Sequence, residues 1–134
     1  MYVKRIVIIG MLVLASLSAS KLAVYAQVAI SEILWVGSEL STADEFIEIV
    51  STSASGVDMS GWYITVQDSA KQEKRIIEFA TGSIISASGI FLVSNYDSDE
   101  SVIHIEPDIV QKSLTLPNSR LLLRLYSQSG SLVD

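Results

Sequence analysis

The sequence predicts an all-β chain, a β-sandwich preceded by a secretory signal peptide. Three observations point there. Beyond Ala26 no stretch sustains the i, i+3, i+4, i+7 apolar spacing of an amphipathic helix, and period-two alternation and short apolar runs take its place. Turn signals separate these runs: Ser55-Gly56, Ser60-Gly61, Thr81-Gly82, Ser88-Gly89, Pro117-Asn118 and Ser129-Gly130. The length of 134 residues suits one domain. Roughly seven or eight short strands over about 100 residues, with frequent turns, point to a β-sandwich.

Residues 1–26 come first and read as an address. Lys4 and Arg5 form a positive n-region, Ile6–Leu17 is the apolar h-region, and Val24-Tyr25-Ala26 supplies small or branched residues before the cleavage point. An uncleaved anchor would need about 17–25 apolar residues to cross a bilayer. Lys21 interrupts the apolar run well short of that. A buried core helix would not open with a basic pair at a chain start.

The body, residues 27–134, follows as one domain. Val28–Val36 is the first expected strand. Glu45–Ser51 is the second, with Ile47 and Ile49 on one face and Phe46, Glu48 and Val50 on the other. Trp62–Gln67 alternates Trp62, Ile64 and Val66 against Tyr63, Thr65 and Gln67. Arg75–Phe79, Ile84–Ile85, Ile90–Ser94, Leu114–Leu116 and Leu121–Tyr126 complete the set. After Leu121–Tyr126 the turn Ser127–Gly130 aims Ser131–Asp134 back as a hairpin return. That return is shorter than the usual strand of about five or six residues. The last strand is therefore expected to be truncated, leaving an edge open to self-association.

Charge and composition exclude several functions. The chain carries 9 basic and 15 acidic residues, and the three basic residues Lys4, Arg5 and Lys21 all precede the body, which is left with 6 against 15, a net −9. Such a body repels phosphate backbones, so no nucleic-acid partner is expected. The absence of cysteine excludes disulfides, thiolate zinc sites, a cysteine nucleophile and lipoprotein acylation. A single histidine, His104, leaves little for a Ser-His triad or an imidazole metal site. No glycine-rich phosphate loop, HExxH or G-x-S-x-G occurs, and neither Asn95 nor Asn118 opens a glycosylation sequon.

Four groups of residues invite chemistry. Glu32, Asp44, Glu45 and Glu48 form an acidic cluster in which Glu45 and Glu48 have opposite strand parity. Glu32 and Glu48 can meet as a carboxylate pair if their strands are neighbours. The simpler reading is that these acids hold turn backbone and cap strand ends. Asn95–Glu106 places the oxygens of Asn95, Asp97, Asp99 and Glu106 at the spacing of a calcium loop. Glu100 stands where that loop needs glycine and no helices flank it, so a solvated connection without metal is the expectation. Lys71, Lys74 and Arg75 read as a solvated hairpin tip rather than an anion site. Trp62 is expected in the core, behind a Gly61 that needs φ > 0 or a close strand approach.

Five segments, VAISEIL (Val28–Leu34), DEFIEIV (Asp44–Val50), VDMSGW (Val57–Trp62), FATGSIISASGIFLVS (Phe79–Ser94) and LTLPNSRLLLRLYSQSGSLVD (Leu114–Asp134), occur in an order that resembles the lamin-tail domain. VDMSGW is the most specific, being similar to the family's turn into a strand-opening tryptophan. The chain departs from the family in having Ser31 rather than Asn before Glu32, and in the position of Asp134 at its last residue. The resemblance implies an immunoglobulin-like sandwich and, for bacterial members, an anchoring or targeting module of secreted and cell-surface proteins.

The expectation from all of this is a non-catalytic extracytoplasmic binding module, secreted or on the cell surface, without a cofactor. Its partner would be an extracellular protein or a cell-wall or glycan ligand. Two alternatives are an accessory module of a larger exported hydrolase, such as a nuclease or phosphoesterase, and an enzyme built on Glu32 and Glu48.

Overall fold

A computed structural model describes residues 27–118 and 120–134, so the signal segment lies outside the described residues. Nine strands and no helix are found among them. These are β1 (Val28–Leu34), β2 (Phe46–Ser51), β3 (Val57–Asp58), β4 (Tyr63–Gln67), β5 (Glu73–Glu78), β6 (Ile84–Ile85), β7 (Ile90–Ser94), β8 (Ile109–Val110) and β9 (Leu122–Tyr126). They form a four-stranded sheet in the order β1-β2-β7-β8, a three-stranded sheet β5-β4-β9 and a small β3-β6 ladder. The all-β class holds, and the several sheets around one core are consistent with a sandwich.

Period-two patterning explains the core. Ile47 and Ile49 of β2 and Phe91 and Val93 of β7 send one face inward, while Ile64, Ile77 and Leu125 come from the three-stranded sheet. Met59 and Ile85 close one end from the small ladder and its turn. Phe79 and Phe91 meet edge to face at 5.7 Å, a favoured geometry for aromatic quadrupoles. Gly61 has φ +71° and donates its N–H to Phe79 at 2.8 Å, the positive φ that the turn before Trp62 called for. Trp62 itself is half-buried and packs on the margin of the core rather than inside it.

Three strand expectations need correction. The first strand ends at Leu34, so Trp35 and Val36 lie beyond it. Two short strands, β3 and β8, went unpredicted, each only two residues long. Leu114–Leu116 is not a strand. Leu114 and Leu116 are buried and Thr115 is exposed, so the alternation is real. The backbone, however, finds side chains in place of a ladder. Leu116 N–H donates to Glu45 Oε2 at 2.9 Å, and Leu114 C=O accepts from Asn95 Nδ2 at 2.7 Å. Buried backbone groups must be paired, but side chains can do the pairing.

The C-terminal return forms as expected from the turn. Gly130 N–H closes the turn onto Ser127 C=O at 2.9 Å, and Leu132 bridges Tyr126 in antiparallel sense. Val133 N–H then donates to Leu125 C=O at 2.8 Å, and Leu125 N–H to Asp134 C=O at 2.7 Å. The Asp134 side chain leaves this sheet altogether. Its Oδ2 accepts from the Ile30 N–H of β1 at 2.9 Å, tying the two larger sheets together along one flank.

Candidate functional site

The carboxylate pair suggested by the sequence does assemble. β1 and β2 are antiparallel neighbours, and Glu32 lies directly opposite Glu48 in their register. A bulge sits at Ser31, between the pairings Ile30–Ile49 and Glu32–Glu48. The extra residue bends the strand locally. It also places the Ser31 hydroxyl over β2, donating to Glu48 Oε1 at 2.6 Å and to Glu48 C=O at 3.2 Å.

β1 is an outer strand of its sheet and β9 an outer strand of the other. Along β1 lies an open groove of about 420 Å³, lined by Ile30, Ser31, Glu32, Ile33, Trp35 and, just before β9, Leu121. Ile30 and Ile33 pair with the core residues Ile49 and Ile47, so they belong to the inward face of the sheet. Glu32 and Glu48 stand on the outward face. The groove therefore has an apolar floor with Glu32 at its rim, and Glu48 faces Glu32 from the neighbouring strand. Trp35 and Leu121, both half-buried against the core, were not singled out by the sequence reading. Trp35, expected within the first strand, lies just beyond β1 and lines the groove.

The other acids have structural employment. Asp44 is wholly buried and accepts from Ser101 Oγ at 2.7 Å and Val102 N–H at 3.1 Å, across more than fifty residues of sequence. Burial raises its pKa, but the hydroxyls of Ser38 and Ser101 and the Val102 N–H together outweigh that and hold the carboxyl below its ordinary value. Glu45, 4% exposed, is pushed the other way, because burial raises its pKa more than the single Leu116 N–H lowers it. It shares a polar recess of about 380 Å³ with Thr42, Asn95, Tyr96, Lys112 and Asn118. A third recess of about 390 Å³ lies by Thr81, Ile84, Phe91, Asp108 and Ile109.

The residues of the calcium-like loop face different tasks. Asn95 is buried and donates to the carbonyls of Lys112 and Leu114 at 3.3 and 2.7 Å. Asp97 Oδ1 accepts from the N–H groups of Asp99 and Glu100, both at 3.1 Å, and Glu106 Oε2 from Ser98 Oγ at 2.6 Å. No group of three or more acidic or histidine side chains able to hold a metal ion is found among the described residues. His104 is exposed, has φ 47° and lies with its Nδ1 3.3 Å from Ser98 C=O.

The basic residues also have local partners. Lys71 stands in the tip between β4 and β5, in a left-handed conformation at φ 62°. Arg75 stacks over the Tyr63 ring at 3.7 Å and pairs with Glu78 at 2.9 Å, and Lys74 is exposed beside it on β5. On the same sheet Tyr63 and Tyr126 stack at 5.1 Å, and Glu73 accepts from Thr65, Tyr126 and Arg124. These bonds, that from Thr65 foremost, hold the Glu73 carboxyl below its ordinary value.

The Ser31 hydroxyl meets a carboxylate, which is far too weak a base to make it a nucleophile near neutrality. What the flank offers is a strand edge, an apolar floor and paired negative charge. No family model matches the chain, and no curated protein matches it.

Proposed function

We propose that this chain is a non-catalytic, extracytoplasmic binding or anchoring module of the lamin-tail type, with an immunoglobulin-like sandwich exported by a signal peptide over residues 1–26. The observation that carries the reading is the flank between β1 and β9. An outer strand edge, half-buried Trp35 and Leu121, and Glu32 line one groove, with Glu48 facing Glu32 from the neighbouring strand. The buried acids Asp44 and Glu45, by contrast, are consumed in holding loops. Edges and grooves of rigid sandwiches are common recognition surfaces. The resemblance supplies the anchoring role, and the basic, apolar leader supplies the route out of the cytoplasm.

Exported protein should be tested for saturable retention on purified cell-wall polymers, immobilised glycans and extracellular proteins, alongside a screen for hydrolase activity. Retention that weakens in Trp35→Ala, together with no hydrolysis above background, is the expected result. Turnover abolished by Glu32→Gln or Glu48→Gln would replace the binding module with an enzyme.

A further inference from the structure

We infer that the polar recess around Glu45 and Asn95 takes one neutral pyranose unit of a glycan. The inference goes beyond the flank, since the recess and the β1 groove share no lining residue. At about 380 Å³ the recess falls within the roughly 300–1,000 Å³ of small-molecule sites. Two of its buried lining residues each carry a side-chain oxygen with no donor among the described residues. Glu45 is 4% exposed, and holding the 114–116 segment engages only its Oε2, which accepts from Leu116 N–H at 2.9 Å. Asn95 is 5% exposed, and its Nδ2 donates to the carbonyls of Lys112 and Leu114. Those two carbonyls fix the orientation of the amide and leave Oδ1 as its acceptor. Among the described residues no fully enclosed side-chain oxygen or nitrogen lacks a partner. Glu45 Oε1 and Asn95 Oδ1 therefore reach open space, and the space that both residues line is the recess.

These acceptors are held in place by the fold itself. Asn95 N–H donates to Glu45 C=O at 2.9 Å, which joins the two residues through the backbone as well. Leu114–Leu116, whose backbone bonds to the two side chains in place of a ladder, forms one wall. Two free acceptors call for a ligand with at least two donors, either neighbouring hydroxyls or a cationic nitrogen. The rest of the lining decides between them. The Lys112 ammonium, mostly exposed and 3.8 Å from Glu100, stands at the recess, so an entering cation would meet a like charge. A cation would also have to shed its hydration, at a far larger cost than a hydroxyl pays. Exposed Thr42, Thr115 and Asn118 add groups that both donate and accept, and Tyr96 adds an aromatic side chain. Hydroxyls that donate to Glu45 and Asn95 and accept from Thr42, Thr115 or Asn118 are those of a sugar ring.

Titrating isotope-labelled protein with the methyl glycosides of glucose, galactose, mannose and N-acetylglucosamine tests the proposal by NMR. At least one should saturably shift the backbone amides of Glu45 and Leu116 and the side-chain amide of Asn95. Glu45→Gln can still accept from Leu116 N–H but turns an NH₂ toward the recess, and should weaken that glycoside by about tenfold or more. Thr115→Trp, a substitution at an exposed position, should fill the recess and abolish binding, with urea melts showing that both variants fold. A cationic control, N-acetyl-lysine methylamide, should bind at least about tenfold more weakly than the best glycoside. No saturable shift from any glycoside up to about 50 mM would overturn the proposal, as would shifts centred elsewhere. So would a lysine control that binds more tightly than every glycoside, or folded Glu45→Gln and Thr115→Trp proteins that bind like wild type. A polymer whose retention weakens in Trp35→Ala while the recess amides stay unmoved would remove the saccharide site and leave the binding-module reading standing.

Discussion

Replacing Asp44 with asparagine isolates one buried charge whose bonds span the molecule. Asp44 has no exposed surface and accepts from Ser101 Oγ at 2.7 Å and Val102 N–H at 3.1 Å. Asparagine keeps the shape but is neutral and offers one acceptor oxygen, so the charge-assisted bonds are lost and at least one serine hydroxyl must turn to accept from its NH₂. Hydrogen bonds to a charged group contribute about 1.5–3 kcal/mol each, and a buried donor left unpaired costs about 1–3 kcal/mol. The relief of desolvating a charge offsets part of that. The net expectation is a loss of about 2–4 kcal/mol at pH 7, a sizeable fraction of the roughly 5–15 kcal/mol typical of a domain. For a domain of this size it corresponds to a fall of about 10 °C in melting temperature. The sign with pH follows from the direction of the shift. Asp44 titrates below its ordinary value when folded, so its stabilisation is complete above that ordinary value and is lost as pH falls through the folded pKa. The gap between wild type and Asp44→Asn should therefore be widest near neutrality and narrow below about pH 4. Urea denaturation of both proteins at a series of pH values measures it. A double-mutant cycle with Ser101→Ala should show coupling of about 1 kcal/mol or more. A gap under about 0.5 kcal/mol, or one that does not change with pH, would refute the reasoning.

Glu45→Gln should behave in the opposite sense. The Glu45 carboxyl titrates above its ordinary value, so the wild type loses stability as pH rises past that value, and urea melts should show the glutamine variant gaining on it there. Gly37→Ala should cost about 2 kcal/mol or more in thermal melts, since Gly37 has φ +74° and an added Cβ would lie 2.5 Å from the Thr42 Cα, a backbone atom that cannot swing aside. The body, at net −9, should show no measurable affinity for duplex DNA at physiological salt in fluorescence anisotropy, and tight, salt-sensitive binding would make Lys71, Lys74 and Arg75 a real patch. Intact mass of exported protein should place the mature N-terminus near Gln27, and a membrane-bound product retaining Met1 would favour the anchor.

Much of the sheet structure was legible because it is written in local alternation. Ile47 and Ile49, Ile64 and Val66, and Phe91 and Val93 each declare an inward face within a few residues. Leu114–Leu116 shows the limit of that signal. Its alternation reports burial correctly, yet whether the backbone joins a ladder depends on Glu45 and Asn95 reaching it first, and neither reach is visible along the chain. β8 was hidden for a related reason. It pairs in parallel with β7 after the long 95–108 connection, and the Asp108 carboxylate takes the Leu92 N–H at 2.8 Å to finish that edge. A two-residue strand so anchored carries almost no periodicity of its own.

The flank was legible in its pieces and not in its assembly. Glu32 and Glu48 were foreseeable as a pair once β1 and β2 were neighbours, because register follows from which face each strand buries. The bulge at Ser31 shifts that register by one residue, and a serine among strand residues does not announce it. The hairpin return of Ser131–Asp134 could be read from Ser129-Gly130, but nothing local says that the Asp134 carboxylate crosses to a backbone N–H 104 residues away. Contacts of that span are set by how the two larger sheets stack, a property of the packed core rather than of any one strand. The groove is lined by Ile30, Ser31, Glu32, Ile33, Trp35 and Leu121. Its apolar floor from the inward-facing Ile30 and Ile33 and the outward-facing Glu32 at its rim are the two sides of a single amphipathic strand seen from its edge.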